Sequence, residues 1–502
     1  MTAPSTLVAA DPPASPPTRP PLRRRRLALP VAAVALAAVA VGGTGREMWN
    51  DEYSTWYATT LTWPEFRQLL GNIDLVHALY YVAMRLWTGA FGDSVLALRL
   101  PSFLGMAVAA GALTALGRRL YGGTVGVSAG LIFAALPAVS RYGQEARSYA
   151  WVTALAVLAT LALLRALERP SWRRFLLYGV TLLALTYLHF VAATVLAAHA
   201  ALVWRAARRG GGRPVARAWL AAVLGLVLTV APLLYGASGQ SAQVEWISRS
   251  RQAVARYPGD LFGSAAMAWV LVPIALLGAV ALWYARRGPI APLLLWAVLP
   301  PVFCYLAHPV AHIFLAKYAL FTLPAWALLA GAAIAVPVRA LRRWLAPADR
   351  VVVLGLALLL VAAAGAAGQV EVRRSPVAGE ADFRAAAQVI DDGYRPGDGI
   401  AYAGFDPSRP IRLPLAYELR TRPRDVFLAV PSNRTGRYSG VECVDPVPCL
   451  GDAPRLWLVV GGGRLDPVDA FPPVRAQLLR REFTVAEVER LPRVDVALLV
   501  RR

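Results

Sequence analysis

Two adjacent carboxylates, Asp51 and Glu52, lie a few residues beyond the first apolar segment of this 502-residue chain. That segment, 27–44, is long and uncharged enough to enter a membrane, and four arginines at 23–26 precede it. Arginines beside a span stay on the cytoplasmic side, so the two carboxylates are expected on the opposite side. Neighbouring carboxylates at a membrane surface are costly to desolvate and repel each other, which suits acid/base chemistry. We therefore expect chemistry at this pair.

The composition is that of a membrane protein. Hydrophobic residues make up 57% of the chain, charged residues only 16%, and the mean hydropathy is +0.49. A soluble chain of this length carries about 25% charged residues. The net charge of +22 would suit a nucleic-acid partner, but the arginines lie in clusters between apolar runs. Such clusters are typical of cytoplasmic loops that face anionic lipid, so we expect a membrane and no nucleic acid as partner.

About eleven membrane helices are predicted, with about 20 apolar residues taken as the spanning length. The fifth and sixth could form one long helix, since only His189 and its neighbours mark a break. With eleven spans every dense arginine cluster falls on one side, as the positive-inside rule requires, so we keep eleven. The predicted spans are centred in 27–44, 94–116, 122–140, 149–167, 174–188, 190–205, 217–235, 265–284, 290–307, 312–336 and 350–369.

These spans define three predicted regions. Residues 1–26 are rich in Pro and Ala and are expected to be a disordered cytoplasmic N-terminus. Residues 27–370 form the transmembrane domain, with a first outward loop at 45–93. An odd number of spans places residues 371–502 outside, where Asp, Glu, Pro and Gly become frequent and short strand-like runs alternate with helix-like ones. We predict an extracytoplasmic α/β domain there.

The cysteines agree with this placement. Cys443 and Cys449 lie close together in the predicted outer domain, whereas Cys304 lies within an apolar span. A disulfide between the first two is expected in an oxidising compartment, and two unpaired surface thiols are the alternative.

Polar residues gather in the outward loops, where a short connection would not need them. Glu145 and Arg147 could be a structural ion pair, and each histidine could be a hydrogen-bonded interface residue rather than a metal ligand. Together, however, these loops suit a substrate with an anionic head and a lipid tail, because cations bind phosphate and a carboxylate accepts a proton. Besides the carboxylate pair, the candidate residues are His77, Tyr81, Arg141, Gln144, Glu145, Arg147, Tyr149, Lys317 and Tyr318.

Three motifs in this order resemble a known family. Asp51-Glu52-Tyr53-Ser54, then His77-Ala78-Leu79-Tyr80-Tyr81, then the run at 141–149 are similar to motifs of bacterial membrane glycosyltransferases of the GT-C fold. The group that they resemble is the protein O-mannosyltransferase-like family, which includes the lipid A aminoarabinose transferase. The resemblance covers roughly residues 27–370. Family members often have Arg where this chain has Lys317 before Tyr318, which keeps the charge but not bidentate phosphate binding.

The resemblance implies a function. A sugar, mannose or another pentose or hexose, would pass with inversion from a polyprenyl phosphate to a hydroxyl of a protein, glycan or glycolipid, outside the bacterial plasma membrane. Asp51 would be the general base and Glu52 its electrostatic or acceptor-positioning neighbour. Arg147 and Lys317 would contact the donor phosphate, and the other candidates would line the substrate site. Such a displacement requires no cofactor, although an acidic site can hold Mg²⁺ or Mn²⁺.

Two other classes fit a polytopic chain. A transporter or flippase of lipid or polyprenyl-linked sugar would also carry charges among its spans. We see no internal repeat, and the charges lie at one surface rather than at mid-membrane, which favours the enzyme. A scaffold whose outer domain binds a partner would not need Asp51, so substitution of Asp51 separates that class from the first.

Overall fold

A computed structural model describes residues 27–286, 288–376, 380–405 and 411–502. The N-terminal region that we expect to be disordered, 1–26, lies outside the described residues. The described chain folds into a helical bundle followed by a region built around a β-sheet.

Long apolar helices form the bundle, with shorter helices between some of them. They are α1 (Ala28–Ala40), α2 (Asn50–Thr60), α3 (Trp63–Asn72), α4 (Ala78–Phe91), α5 (Val95–Tyr121), α6 (Gly123–Ala135), α7 (Pro137–Gly143), α8 (Tyr149–Glu168), α9 (Trp172–Leu188), α10 (Leu196–Ala206), α11 (Gly212–Ser238), α12 (Arg251–Phe262), α13 (Ala265–Tyr284), α14 (Ala291–Ala311), α15 (Leu323–Ala340) and α16 (Pro347–Val372).

Within the described ranges, eight helical segments are long and apolar enough to cross a membrane, or nine if α6 and α7, bent by 64°, form one span. The other two predicted spans correspond to α1, with 13 residues, and α9, with 17. Both are shorter than the about 20 residues that a span requires. The structure separates α9 from α10 at His189, whose extended backbone precedes a 3₁₀ turn at Phe190–Val195. The polytopic helical fold is confirmed, and the count of eleven stays a prediction.

Helix α15 lies at the centre of the bundle, where it packs against α6 and α13. A glycine explains how closely α13 approaches it. A Cβ added at Gly278 would lie 1.8 Å from the carbonyl oxygen of Leu329. Small residues at such crossings let the backbones of membrane helices touch. Helix α11, in contrast, leaves large apolar side chains such as Leu224 and Leu228 exposed, as expected of a helix that faces lipid.

The C-terminal region is an α/β structure, which confirms the predicted sheet-containing region. Its five-stranded sheet has the order β2-β1-β5-β7-β6, and a separate antiparallel pair joins β3 and β4. The strands are β1 (Gly399–Ala403), β2 (Arg424–Asp425), β3 (Leu428–Val430), β4 (Val441–Glu442), β5 (Arg455–Gly461), β6 (Phe483–Leu491) and β7 (Val494–Arg501). The helices are α17 (Phe383–Gly393), α18 (Arg412–Glu418), α19 (Ser432–Thr435), α20 (Pro446–Leu450) and α21 (Pro473–Glu482).

Strand β5 is the middle of this sheet. It runs parallel to β1, with Ile400 opposite Trp457, and antiparallel to β7, with Val496 opposite Val459. Residues 456–460 are all buried, as the continuous apolar run of a strand covered on both faces predicts. A disulfide joins Cys443 and Cys449 just after β4.

The C-terminal region packs on residues 45–93, the predicted first outward loop. The hydroxyl of Tyr53 in α2 donates to Glu418 at 2.9 Å, and the amide of Asn433 donates to Glu65 in α3 at 2.6 Å. Helices α2 and α3 therefore lie between the bundle and the sheet-containing region, and this junction holds the candidate site.

Candidate active site

Asp51 lies in the first turn of α2, where the helix dipole favours a negative charge. Its Oδ2 is 2.7 Å from Nζ of Lys317 and 4.0 Å from Nε of Arg147. The Asp51 side chain keeps 30% of its surface exposed. Residues that are far apart in the sequence thus bring two cations to one accessible carboxylate, and all three were predicted to act together.

The electrostatics keep Asp51 ionised. Burial raises the pKa of its carboxyl, but Lys317 and Arg147 outweigh burial and hold the pKa below its usual range. An ionised carboxylate can accept a proton from a hydroxyl that binds beside it, which is the task of a general base.

Arg147 is held by two residues of the segment 45–93. Its Nη1 donates to the hydroxyl of Tyr81 at 3.0 Å, and its Nη2 lies 2.9 Å from Nε2 of His77. Burial, and then the charge of Arg147, lower the pKa of His77 to about 4, so the imidazole is neutral and can accept from the guanidinium. Tyr81 in turn donates to Asp74 at 2.7 Å. These contacts aim the guanidinium at Asp51.

Aromatic side chains line the site beside Lys317. Its ammonium lies 5.8 Å from the ring centre of Tyr149. The ring of His189 is 4.9 Å from Tyr318 and 6.0 Å from Tyr149, which joins the two tyrosines into one wall. Such surroundings are less polar than water and strengthen the attraction between Lys317 and Asp51. The structure therefore brings His77, Tyr149 and Tyr318 to the site, as the sequence predicts.

Of the two roles predicted for Glu52, electrostatic and acceptor-positioning, the structure contradicts the second. Its two oxygens accept from Nε and Nη2 of Arg99, each at 2.8 Å, and also from the backbone N–H groups of Ala146 and Trp49. The Glu52 side chain has no exposed surface. The expectation that it positions an acceptor is therefore wrong, because its oxygens are occupied inside the protein.

Some residues of the segment 141–149 also have structural contacts and do not reach Asp51. Gln144 is buried and donates to the carbonyl oxygens of Val39 and Val41 at the end of α1. Glu145 is buried between Arg46 at 3.9 Å and Arg141 at 3.8 Å. The predicted substrate contact of Gln144 is wrong, and the structure places Glu145 in a separate buried ion cluster. Arg141 keeps 38% of its surface exposed and pairs with Glu145 rather than with Asp51.

Three residues that hold the site in place, Arg99, Asp74 and Tyr438, were not among the predicted site residues. Arg99 is fully buried in α5, and a charge five residues into a membrane span was a signal that could have found it. Asp74 has a positive φ of 60°, which no local pattern indicated. Tyr438 donates to Asp74 at 2.7 Å from the C-terminal region, and nothing in the sequence connects the two.

Comparison with known proteins agrees with this architecture. Residues 78–235 match a family model described as dolichyl-phosphate-mannose-protein mannosyltransferase. The structure is similar to ArnT from Cupriavidus metallidurans bound to undecaprenyl phosphate, with a TM-score of 0.56 and 14% identity over 93% of this chain and 97% of that one. A search of curated protein sequences gives no match.

Two further structures share the fold. The archaeal oligosaccharyltransferase AglB from Archaeoglobus fulgidus, solved with an inhibitory peptide and a dolichol-phosphate, has a TM-score of 0.51 and 11% identity over 87% of this chain and 69% of that one. The arabinofuranosyltransferase AftD from Mycobacteria has a TM-score of 0.53 and 16% identity over 95% and 40%. These likenesses show that the chain has the GT-C fold. They confirm the resemblance to GT-C membrane glycosyltransferases that the motifs indicated.

Proposed function

We propose that this protein transfers a sugar from a polyprenyl-phosphate carrier to a hydroxyl group on the outer face of the membrane, with inversion at the anomeric carbon. The observation that carries the proposal is the accessible, ionised Asp51 between Lys317 and Arg147. The family model named for a dolichyl-phosphate-mannose enzyme supports it, as do the undecaprenyl phosphate bound to ArnT and the dolichol-phosphate bound to AglB.

The reaction is a single displacement. Asp51 accepts the proton of the acceptor hydroxyl while the acceptor oxygen forms a bond to the anomeric carbon. The bond from that carbon to the phosphate oxygen breaks, and the polyprenyl phosphate leaves with the electron pair. Lys317 and Arg147 stabilise the charge on the leaving phosphate. An enzyme nucleophile is not required for inversion.

The two cations couple donor binding to base strength. In the free site both lie beside Asp51, which keeps its pKa low and makes it a weak base. A donor phosphate that attracts Lys317 and Arg147 withdraws part of this stabilisation and adds a negative charge nearby. Both changes raise the pKa of Asp51, so the carboxylate becomes a stronger base once the donor is in place.

The residues around Asp51 fit a divalent cation poorly. Mg²⁺ and Mn²⁺ prefer several oxygen ligands, but one Asp51 oxygen contacts an ammonium, and a guanidinium lies beside it. Among the described residues, no group of three His, Cys, Asp or Glu side chains is placed to hold a metal ion. We therefore propose that positive side chains hold the donor phosphate, and we expect transfer to persist in EDTA.

For the sugar and the acceptor we propose only their chemical classes. The family-model description suggests mannose, and the arabinofuranosyltransferase AftD makes a pentose reasonable. A protein, glycan or glycolipid can supply the acceptor hydroxyl. We place the protein in the bacterial plasma membrane, with its N-terminus in the cytoplasm and its C-terminal region outside.

A donor panel tests the proposal. Purified protein is incubated with synthetic polyprenyl-phosphate mannose and polyprenyl-phosphate arabinose, with and without EDTA, and released polyprenyl phosphate and product anomer are measured. We expect one donor to be consumed and an inverted product to form in both conditions. Binding of the lipids without any transfer would instead support the transporter or flippase class.

A further inference from the structure

One residue of the C-terminal region reaches the network around Arg147. The hydroxyl of Tyr438 donates to Oδ2 of Asp74 at 2.7 Å and lies 3.0 Å from the hydroxyl of Tyr81. Tyr81 donates to the same Asp74 oxygen and accepts from Arg147. A continuous chain of hydrogen bonds therefore runs from the C-terminal region to the guanidinium beside Asp51.

The segment that carries Tyr438 is held against α3. This segment, 432–438, lies in the connection between β3 and β4. Asn433 donates to Glu65 at 2.6 Å, and Asn72 donates to the carbonyl oxygen of Gly436 at 3.3 Å. Gly436 has φ of +63°, and a Cβ there would lie 2.6 Å from the Asn72 amide, so this close approach requires glycine.

Asp74, in the middle of this series of hydrogen bonds, is held in place by contacts of its own. Asp74 begins the short helix that carries His77, and its backbone N–H and that of Leu75 donate to Gln243 and Gln240. With the Asp74 backbone anchored in this way, Tyr438 restrains the Asp74 carboxylate and the Tyr81 hydroxyl rather than the fold of the loop.

We propose that Tyr438 is a positioning residue, through which the C-terminal region completes the donor-phosphate site by fixing Tyr81 and hence Arg147. This inference rests on the proposed function. Loss of its hydroxyl leaves Asp74 with one hydrogen bond fewer and allows Tyr81 and Arg147 to move away from the donor phosphate. A hydrogen bond to a charged group is worth enough to change donor affinity about tenfold or more.

The test compares Tyr438→Phe with Tyr417→Phe in the purified full-length protein. Tyr417 is a matched control, because its hydroxyl also joins the C-terminal region to the first outward loop, through the carbonyl oxygen of Asp93 at 3.1 Å, but lies outside the Arg147 network. We expect Tyr438→Phe to raise the donor KM about tenfold with little change in acceptor KM. We expect Tyr417→Phe to match the wild type.

A double-mutant cycle separates positioning from stability. Tyr438→Phe should cost far less donor affinity in an Arg147→Lys background, where the guanidinium is already absent. Asn433→Ala removes the contact with Glu65 that holds the segment but keeps Tyr438, and it should also raise the donor KM. This variant replaces Tyr438→Phe in the test if Tyr438→Phe does not fold. Wild-type transfer together with an unchanged donor KM in Tyr438→Phe overturns this inference alone. A wild type that transfers no sugar overturns the proposed function and the inference with it.

Discussion

At the scale of single residues, the proposed chemistry depends on how Asp51 stays charged in a partly buried place. Burial favours its protonated form, and the two neighbouring cations favour the ionised form by more. The folded-state pKa is therefore depressed, and the carboxylate keeps its charge down to a pH below about 4, its ordinary value.

The pH profile of the reaction should depend on the opposing effects of burial and of the two cations on the pKa of Asp51. In Lys317→Met the largest opposing charge is gone while burial remains, so the pKa of Asp51 rises. The acid limb of kcat/KM should move from below about 4 to a higher pH. Measurement of kcat/KM between about pH 3 and 8 checks this, with Arg249→Met, an exposed cation that contacts Tyr305, as the control. An acid limb at the same pH in Lys317→Met and wild type would contradict the assignment.

At the scale of elements, α2 is held by the buried pair between Glu52 and Arg99, whose side chains are both fully buried. The pair ties the start of α2 to α5, and Glu52 also accepts from Ala146 in the segment before α8. The position of Asp51 therefore depends on its neighbour in sequence, although that neighbour faces away from the site.

Removal of one partner should destabilise the protein. Glu52→Ala leaves the Arg99 charge buried and unpaired, which costs about 3–5 kcal/mol. Glu168→Ala breaks an ion pair with Arg119 whose carboxylate is 61% exposed, and such surface pairs contribute about 0–1 kcal/mol. Thermal unfolding of both variants in the same detergent measures the difference. Equal melting temperatures for the two variants would contradict the structural assignment of Glu52.

The sequence could predict these elements better than the directions of their side chains. Hydropathy located the long apolar helices of the bundle because each apolar run carries its own signal. Asp51 and Glu52 are adjacent and have the same chemistry, but neighbouring positions on a helix point in different directions. Which of them faces the site depends on Lys317, 266 positions away, and on Arg99, 47 positions away. Local patterns carry no information about such partners.

At the scale of the whole molecule, the C-terminal region and the first outward loop lie at the same end of the bundle, as the contact between Tyr53 and Glu418 shows. The sequence predicted the sheet-containing region from its change in composition. It could not predict that Tyr438 enters the site, because Asp74 lies 364 positions earlier in the chain.

The proposed sidedness can be checked with two engineered cysteines. Leu465 in the C-terminal region is 96% exposed, and Trp344, beside an arginine cluster predicted to be cytoplasmic, is 73% exposed. The native Cys443 and Cys449 form a disulfide, and Cys304 is buried, so the background reactivity is low. In intact cells an impermeant thiol reagent should modify Leu465→Cys, and it should modify Trp344→Cys only after lysis. The reverse pattern would overturn the orientation.

Sugar transfer by Asp51→Asn tests the role of Asp51 as the general base. Asparagine keeps the size of the side chain but cannot act as the base, so the transfer rate of the folded variant should fall about 10²–10⁴-fold. Asp93→Asn is the matched control, since Asp93 lies in the same outward loop and accepts only from Trp56 among the described contacts of its side chain. We expect Asp93→Asn to transfer at the wild-type rate. Transfer by Asp51→Asn at that same rate would contradict the account.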